Sequence, residues 1–345
     1  MRNQRSLVVA AGIAALLIPA GAAQAATKQV TIGPAKPLAG VPPQAFDADF
    51  YPRKITLAKG DHIRFKWTTG FGDVIFVPKG DDPVPFAVPA GTVADAKDEA
   101  GADMWFNGQP GLAPNIPGLS PQGGKAIDGS KVVSSGFALD GPQKPWKVRF
   151  TKAGKYRLSS VFHSSKKLTV TVKRNGKGVP GKKADKRRLA RQVKASTKLA
   201  KKLAAFQGPQ GNVVRAGNDA KAIAQIAFFP AKKTVEVGDT VKFEMPKESI
   251  EIHNIAFGPK AYLDSKPFLG PVLNPFVVYR SDAPGTAVSF DGANHGNGYF
   301  NTGVLDAHKD TPFPSEDSVT FTKAGTYEYY CAVHGNDMAG EIVVQ

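Results

Sequence analysis

The sequence predicts an all-β protein built from two β-sandwich domains. Short runs in which apolar and polar residues alternate, such as 235–237, 241–243 and 327–329, are typical of half-buried strands. Gly-Asp and Ala-Gly pairs separate these runs as turns. A block of sequence also recurs at nearly constant spacing, which indicates two copies of one domain. A β-barrel is the competing all-β architecture.

Composition limits the classes of function. The chain has 345 residues, of which 42% are hydrophobic, and a single cysteine, so it can bury substantial cores but cannot form an intrachain disulfide. Its formal net charge is +16, yet residues 173–206 alone hold 13 Lys and Arg against 1 acidic residue. Because the positive charge is concentrated in one short segment, the composition argues against a nucleic-acid binder that is basic over a whole domain.

The first 25 residues have the pattern of a signal peptide. Arg2 and Arg5 precede an apolar run over residues 7–19, and a small-x-small cleavage site follows at 23–25. The apolar run is shorter than the ~20 residues that span a bilayer, which makes an uncleaved anchor the weaker interpretation. We therefore expect an exported mature protein with no transmembrane segment, located in the periplasm, at the cell surface or outside the cell.

Residues 27–172 and 208–345 are predicted to be the two copies. A block that starts at Phe50 aligns with one that starts at Phe228, and seven of sixteen aligned positions are identical. The motif Phe-Thr-Lys-Ala-Gly occurs near the end of both copies, at an offset of 171 residues. Each copy is long enough to form a sandwich of its own.

The segment between the copies, residues 173–207, is predicted to be a basic helical linker. Over residues 182–206 the apolar side chains recur at helical spacing, and lysines and arginines occupy the remaining face. Such a helix either packs its apolar stripe on a neighbouring domain or contacts an anionic surface. The sequence leaves both alternatives open.

Four side chains of the C-terminal copy form a candidate metal site. Cys331, His334 and Met338 lie on one short segment between two β-like runs, and His253 lies on an earlier strand. A thiolate, two imidazoles and a weak axial thioether are the donors of blue-copper electron-transfer sites. Zinc makes little use of a thioether, and hard cations prefer oxygen ligands. We expect one copper ion here, cycling between Cu(I) and Cu(II).

These residues make the C-terminal copy resemble the cupredoxins, blue copper proteins of the plastocyanin and azurin kind. The resemblance rests on His253-Asn254 and on Cys331-x-x-His334 followed by Met338. It implies a Greek-key β-sandwich in which the two histidines, the cysteine and the methionine bind copper. It also implies that Asn254 links the strand of His253 to residues 331–338, the segment with the other three ligands, which we call the ligand loop.

The resemblance has further implications around His334. This histidine would be the more exposed ligand, and an apolar patch that includes Val333 would be the contact for redox partners. Three residues separate His334 from Met338, whereas two or four are commoner in the family, so the axial distance is the least defined part of the site.

The N-terminal copy is predicted to be a cupredoxin-like domain that lacks copper ligands. The alignment places Ser160 at the position of the cysteine and His163 at that of the second histidine, while Gly72 replaces the first. No methionine follows in that loop. One imidazole cannot hold copper usefully, so we expect one copper per chain.

The sequence therefore predicts an exported protein that transfers single electrons and is not an enzyme. No motif identifies its redox partners, and no Ser-His-Asp order, paired carboxylate or His-x-His pair suggests a substrate site. Two alternatives stay open. One is copper sequestration or delivery outside the cytoplasm. The other is one subunit of an oligomeric copper oxidoreductase, in which His163 or His295 would meet a neighbour's copper.

Overall fold

The structure, a computed structural model, describes residues 25–68, 72–138, 141–163, 166–308 and 311–345. The predicted signal peptide lies outside the described residues except for its last position. Among the helices of the described ranges, none combines the length and the hydropathy needed to cross a bilayer.

The described chain is mostly β-sheet, with short helices and one long helix. The elements of the N-terminal half are β1 (Thr27–Ile32), β2 (Ala45–Asp47), β3 (Phe50–Tyr51), β4 (Lys54–Ala58), β5 (His62–Trp67), β6 (Ile75–Phe76), β7 (Ala87–Thr92), β8 (Pro110–Pro114), α1 (Ile116–Leu119), β9 (Ala126–Ile127), β10 (Val133–Ser134), β11 (Trp146–Phe150), β12 (Gly154–Ser159) and β13 (Leu168–Lys173). The long helix α2 (Lys182–Ala204) follows. The elements of the C-terminal half are β14 (Val213–Ala216), β15 (Ile223–Gln225), β16 (Phe228–Phe229), β17 (Lys232–Val235), β18 (Thr240–Glu244), β19 (Ala256–Phe257), α3 (Lys260–Asp264), α4 (Pro275–Val278), β20 (Val288–Phe290), a 3-10 turn (Asn294–Gly296), β21 (Phe300–Asn301), β22 (Glu316–Phe321), β23 (Gly325–Cys331) and β24 (Gly335–Val344).

Each half contains a sandwich of two five-stranded sheets, and the strand orders correspond. The N-terminal sheets run β3-β1-β5-β11-β9 and β10-β6-β12-β13-β4, and the C-terminal sheets run β16-β14-β18-β22-β20 and β21-β19-β23-β24-β17. Both sandwiches mix parallel pairs, such as β1 with β5 and β14 with β18, with antiparallel ones. The predicted fold class, two cupredoxin-like sandwiches joined by a helix rather than a barrel, is confirmed.

The inner faces of the sheets form one core in each sandwich. In β11, for example, side chains alternate between buried and exposed along the whole strand, which directs Val148 and Phe150 inward. Burying a side chain of this size stabilises the fold by about 1.5–3 kcal/mol. The C-terminal core includes Cys331 and Met338 among its buried members, so the candidate ligands are part of a packed interior.

The linker helix α2 packs its apolar side chains on both halves of the chain. Leu203 contacts a cluster that contains Leu38 of the N-terminal half and Ile223 of the C-terminal half. The helix ends at Ala204, two residues before the end predicted from the apolar spacing. Close by, β2 pairs antiparallel with β15 and joins the two halves through backbone hydrogen bonds.

A second zone of contact lies near the ligand loop. Residues 86–119, which we call the arm, leave the N-terminal sandwich as the β7–β8 hairpin and the short α1. Phe86 and Leu112 of the arm pack with Val278 and Val304 of the C-terminal half. The N-terminal half therefore reaches across to the end of the C-terminal sandwich where the candidate ligands lie.

Candidate metal centre

Three separate pieces of the C-terminal sandwich position the candidate ligands. His253 is held by two backbone hydrogen bonds with Leu305, of 3.1 and 2.7 Å. Cys331 is the last residue of β23, and its carbonyl accepts the N–H of His334 at 3.2 Å in the turn that follows. Met338 lies on β24, which pairs back along β23. The site thus forms only when the sandwich is complete.

Two imidazoles and the thiol converge on one point. The Nδ1 atoms of His253 and His334 are 3.1 Å apart, and the Cys331 sulfur lies 3.8 and 3.5 Å from them. A point equidistant from the three atoms is about 2.0 Å from each, close to the ~2.0–2.3 Å of metal–nitrogen and metal–sulfur bonds. Among the described residues these three form the one such cluster of histidine, cysteine and carboxylate side chains.

Protonation of the metal-free site also suits a soft metal ion. Burial raises the pKa of the Cys331 thiol, but the charge of His334 and hydrogen bonds from both imidazoles outweigh burial and hold that pKa well below its usual range. Burial lowers the pKa of His334, while the Cys331 thiolate and the Glu251 carboxylate raise it to about 10. The site therefore presents a thiolate, the form that binds metals, and an imidazole proton that a metal must displace.

The backbone around His253 leaves room for its imidazole. Gly217 has a φ of +82°, and a Cβ at this position would lie 2.6 Å from Nε2 of His253. The ring is fully buried, and its Nε2 has no hydrogen-bond partner among the described residues. Packing against Gly217 thus fixes the ring with Nδ1 toward Cys331.

Asn254 connects the His253 segment to the ligand loop. Its Oδ1 accepts the backbone N–H of Ala332 at 2.7 Å, and its Nδ2 donates to Oδ1 of Asn301 at 2.8 Å. The amide of Asn301 in turn donates to the carbonyls of Phe276 and Tyr279. Hydrogen bonds of this kind orient metal ligands from outside the coordination sphere.

Met338 and Val333 were both assigned roles from the family resemblance. Met338 is fully buried in the core that contains Cys331, and its role as axial ligand stays a prediction. Val333 is partly buried and packs against the same apolar cluster as the arm residues Phe86 and Leu112. The role of Val333 in a contact with redox partners stays a prediction.

Glu251 is a site residue that the sequence reasoning missed. One carboxylate oxygen contacts Nε2 of His163 from the N-terminal domain, and the other lies 3.8 Å from Nε2 of His334. Burial raises the pKa of Glu251, but the two histidines outweigh burial and lower it below its usual range. The available signal was the spacing: side chains two apart in extended backbone share a face, and Glu251 precedes His253 by two.

The N-terminal sandwich has no corresponding donor cluster among its described residues. Gly72 has a φ of +117°, and the Ser160 hydroxyl donates to the Asp73 carboxylate at 2.6 Å. His163 is 1% exposed and engaged with Glu251, and His295 faces Asp98 at 3.1 Å. His163 is thus not presented at the surface, as a role at a neighbour's copper would require, whereas 17% of the His295 side chain is exposed.

Comparisons with known proteins identify a family that the C-terminal half matches. Residues 215–345 match the family model of copper binding proteins of the plastocyanin/azurin family. No curated protein sequence matches the chain. Among solved structures, a mutant fern plastocyanin is 20% identical, covering 39% of this chain and 99% of its own with a TM-score of 0.22. A mutant amicyanin in the Cu(I) form is 20% identical, with coverages of 41% and 95% and a TM-score of 0.21. A purple cupredoxin from Nitrosopumilus maritimus is 18% identical, with coverages of 39% and 98% and a TM-score of 0.22.

The family model carries the assignment, because the structural likenesses are too low in identity and TM-score to support more. The matched range contains every candidate ligand and spans β14 to β24 almost completely. The donor set of His253, Cys331 and His334 fits a single copper ion, as expected from the residues. The C-terminal domain of this chain is a copper-binding domain of the plastocyanin/azurin family.

Proposed function

We propose that the protein is an exported electron carrier that binds one copper ion and exchanges single electrons with redox partners. The observation that carries the proposal is the triangle of His253 Nδ1, His334 Nδ1 and Cys331 Sγ in a buried, packed setting. Copper bound there would supply a Cu(I)/Cu(II) couple. The soft, mixed donors are those expected of a blue-copper electron-transfer site.

The surrounding residues favour electron exchange over chemistry on a substrate. Cys331 and His253 are fully buried, and the Asn254 hydrogen bonds fix the loop that carries the other donor. Donors that cannot move keep the reorganisation between the two copper states small. His334 is the most accessible donor, with 19% of its side chain exposed, so it offers a route for electrons at the surface.

The experiment is a metal count with visible and electron spin resonance spectra of the copper-loaded mature chain. We expect one copper per chain, an intense thiolate-to-Cu(II) band and a narrow copper hyperfine pattern. The band should vanish in Cys331→Ser and persist in Ser160→Ala, which alters the aligned position of the N-terminal domain. A colourless copper complex that does not cycle between oxidation states would overturn the proposal.

Copper sequestration or delivery would use the same donors. The rate of copper release and the reversibility of the redox couple distinguish it from electron transfer. Rapid transfer of copper to a chelator, together with a poorly reversible redox couple, would favour delivery over electron transfer. A second, spectroscopically distinct copper in an oligomer would favour the oxidoreductase subunit. A monomer with one reversible copper supports the carrier.

Export and domain limits belong to the same proposal. The pattern over residues 1–25 supports export, and mass spectrometry of the secreted chain should find the mature N-terminus near residue 26. We propose 27–172 and 208–345 as the two domains and 173–207 as the linker. The β-sandwich strands begin and end close to these limits.

We also propose that α2 contacts an anionic surface. Its apolar side chains are used against the protein, and its one acidic residue, Asp185, is paired with Lys28. The exposed cations that remain are Lys182, Lys183, Lys186, Arg187, Arg191, Lys194, Lys198, Lys201 and Lys202. Binding to vesicles with anionic phospholipid, lost at high salt and absent for zwitterionic vesicles, is the expected result. Equal binding to both would contradict it.

A further inference from the structure

Two segments of the N-terminal domain approach the ligand loop of the C-terminal domain, residues 331–338. The arm residue Phe86 packs in the cluster that also contacts Ala332 and Val333, on either side of which lie Cys331 and His334. On the other side, the side-chain amide of Gln44 donates to the carbonyl of Asp337. Two segments of a domain whose described residues form no donor cluster therefore lie near the loop that carries three candidate ligands.

The carboxylate of Glu251 lies between two imidazoles that come from different domains. Glu251 contacts Nε2 of His163 through one oxygen and lies 3.8 Å from Nε2 of His334 through the other. The His163 side chain is 1% exposed and that of Glu251 is 15% exposed. A largely buried carboxylate between two rings is costly unless it is paired, which indicates an arrangement that is fixed by the fold.

The two ring nitrogens of His334 face different partners. Nδ1 lies 3.5 Å from the Cys331 sulfur, on the side where the donors converge, and Nε2 faces Glu251. A metal on Nδ1 leaves the ring proton on Nε2, the atom that faces the carboxylate. Metal-binding histidines usually donate their other ring N–H to such a group, which fixes the ring and strengthens it as a ligand.

We propose that the N-terminal domain completes the copper centre: His163 positions the Glu251 carboxylate, and Glu251 positions His334. The inference rests on the proposed copper function, and it assigns a role to the domain that lost its own ligands. Both are positioning residues, since neither reaches the converging donors. The negative charge beside His334 also favours Cu(II) over Cu(I).

The principal variant is Glu251→Gln in the full-length, copper-loaded chain. It keeps the size of the side chain and removes the charge, so we expect the blue band to persist while the reduction potential rises. Copper affinity should fall about 10- to 100-fold, the usual cost of losing such a partner. In the copper-free protein, modification of His334 by an imidazole-reactive acylating reagent, measured by mass spectrometry, should increase several-fold.

Variants of His163 separate positioning from general loosening. His163→Ala should reproduce a large part of the Glu251→Gln changes, and His163→Gln, which retains a side-chain N–H, should restore them in part. Asp98→Asn is the matched control, because it weakens another contact between a histidine and a carboxylate of the two halves, at His295. It should leave potential, copper affinity and His334 labelling unchanged.

The outcomes distinguish this inference from the proposed function. A wild-type chain that never forms a blue copper complex refutes the function. A blue wild-type chain whose potential, affinity and labelling are unaltered in Glu251→Gln and His163→Ala refutes the inference alone. Changes of equal size in Asp98→Asn would assign the effect to loosened domain contact and would also refute it.

Discussion

The two sandwiches share a strand order and differ in what occupies one end of each. In the C-terminal sandwich two imidazole nitrogens and the Cys331 sulfur lie within 4.8 Å of one another. At the aligned end of the N-terminal sandwich the Ser160 hydroxyl donates to Asp73, and His163 is turned toward the other domain. The same framework thus supports a donor cluster in one copy and a hydrogen-bonded polar cluster in the other.

One feature is common to both copies: a side chain that ties the early segment to the late loop. In the C-terminal copy Asn254 accepts the N–H of Ala332 at 2.7 Å, and in the N-terminal copy Asp73 accepts the N–H of Val161 at 3.0 Å. Since the tie is present with and without the metal donors, it belongs to the sandwich architecture. The donors are an addition to it.

The N-terminal copy also holds a buried positive charge near Asp73. Lys166 is 3% exposed, and burial lowers the pKa of its ammonium group to about 8 although Glu251 and Asp73 act to raise it. A buried lysine beside a carboxylate tie satisfies charges that water cannot reach. In this copy, buried polar and charged side chains therefore stand where the C-terminal copy has its metal donors.

Replacing Asn254 by aspartate, the residue at the aligned position of the N-terminal copy, should have the largest effect on stability. In Asn254→Asp a carboxylate replaces an amide that donates to Oδ1 of Asn301, and two acceptors then face each other. The Asn301 amide cannot turn to compensate, because its Nδ2 donates to backbone carbonyls. We expect the free energy of unfolding to fall by about 3–5 kcal/mol, as for an uncompensated buried charge, measured by denaturant unfolding.

The reciprocal substitution, Asp73→Asn, tests whether the corresponding hydrogen bonds of the N-terminal copy affect stability alone. Asp73→Asn retains an oxygen that can accept from Ser160 and Val161, and it should cost less than Asn254→Asp while leaving the copper spectrum unaltered. If Asp73→Asn removed the blue band, the N-terminal tie would act on the copper and the separation of framework from donors would be wrong.

The parts of the site that short motifs encode could be predicted from the sequence. Cys331, His334 and Met338 are close in the chain, and His253-Asn254 is a recognisable pair, so a single local pattern predicts each. The sandwich fold follows from alternating strands and turns, which are also local. Alignment of the repeat predicted that the N-terminal copy lacks these donors, and its described residues form no such cluster.

Contacts between the two halves could not be predicted. The pairing of His163 with Glu251 spans 88 residues and depends on how two sandwiches are placed on each other. The same holds for the pairing of β2 with β15 and for the packing of Phe86 from the arm against an apolar cluster of the C-terminal half. Periodicity within one strand carries no information about such placement.

A smaller effect is expected at the second histidine that joins the halves. His295 faces Asp98 at 3.1 Å and Asp282 at 3.6 Å, and these carboxylates outweigh burial and raise its pKa. A pKa raised on folding stabilises the protein below the unfolded value of ~6.5, and this contribution is lost as the pH rises through the folded value. His295→Asn should therefore reduce stability by about 1–2 kcal/mol at pH 6.

The pH dependence distinguishes this contact from simple packing. Unfolding of the wild type and of His295→Asn, measured from pH 6 to pH 9, should show a difference that shrinks as the pH rises. The copper spectrum should be the same in both, because His295 is not among the converging donors. A stability difference that is independent of pH would show that the ring acts through shape alone.

Restoring the thiol in the N-terminal copy should have the smallest effect. Ser160→Cys, alone or with Gly72→His, places missing donors in the loop and on the early segment, yet three features oppose a metal site. Gly72 has a φ of +117°, which strains any other residue, His163 is held by Glu251, and the buried Lys166 repels a cation. Metal analysis should still give one copper per chain, with no second thiolate-to-Cu(II) band. A second blue copper would mean that the sandwich fold is sufficient to assemble a copper site once the donor side chains are present. The three opposing features would then have no effect.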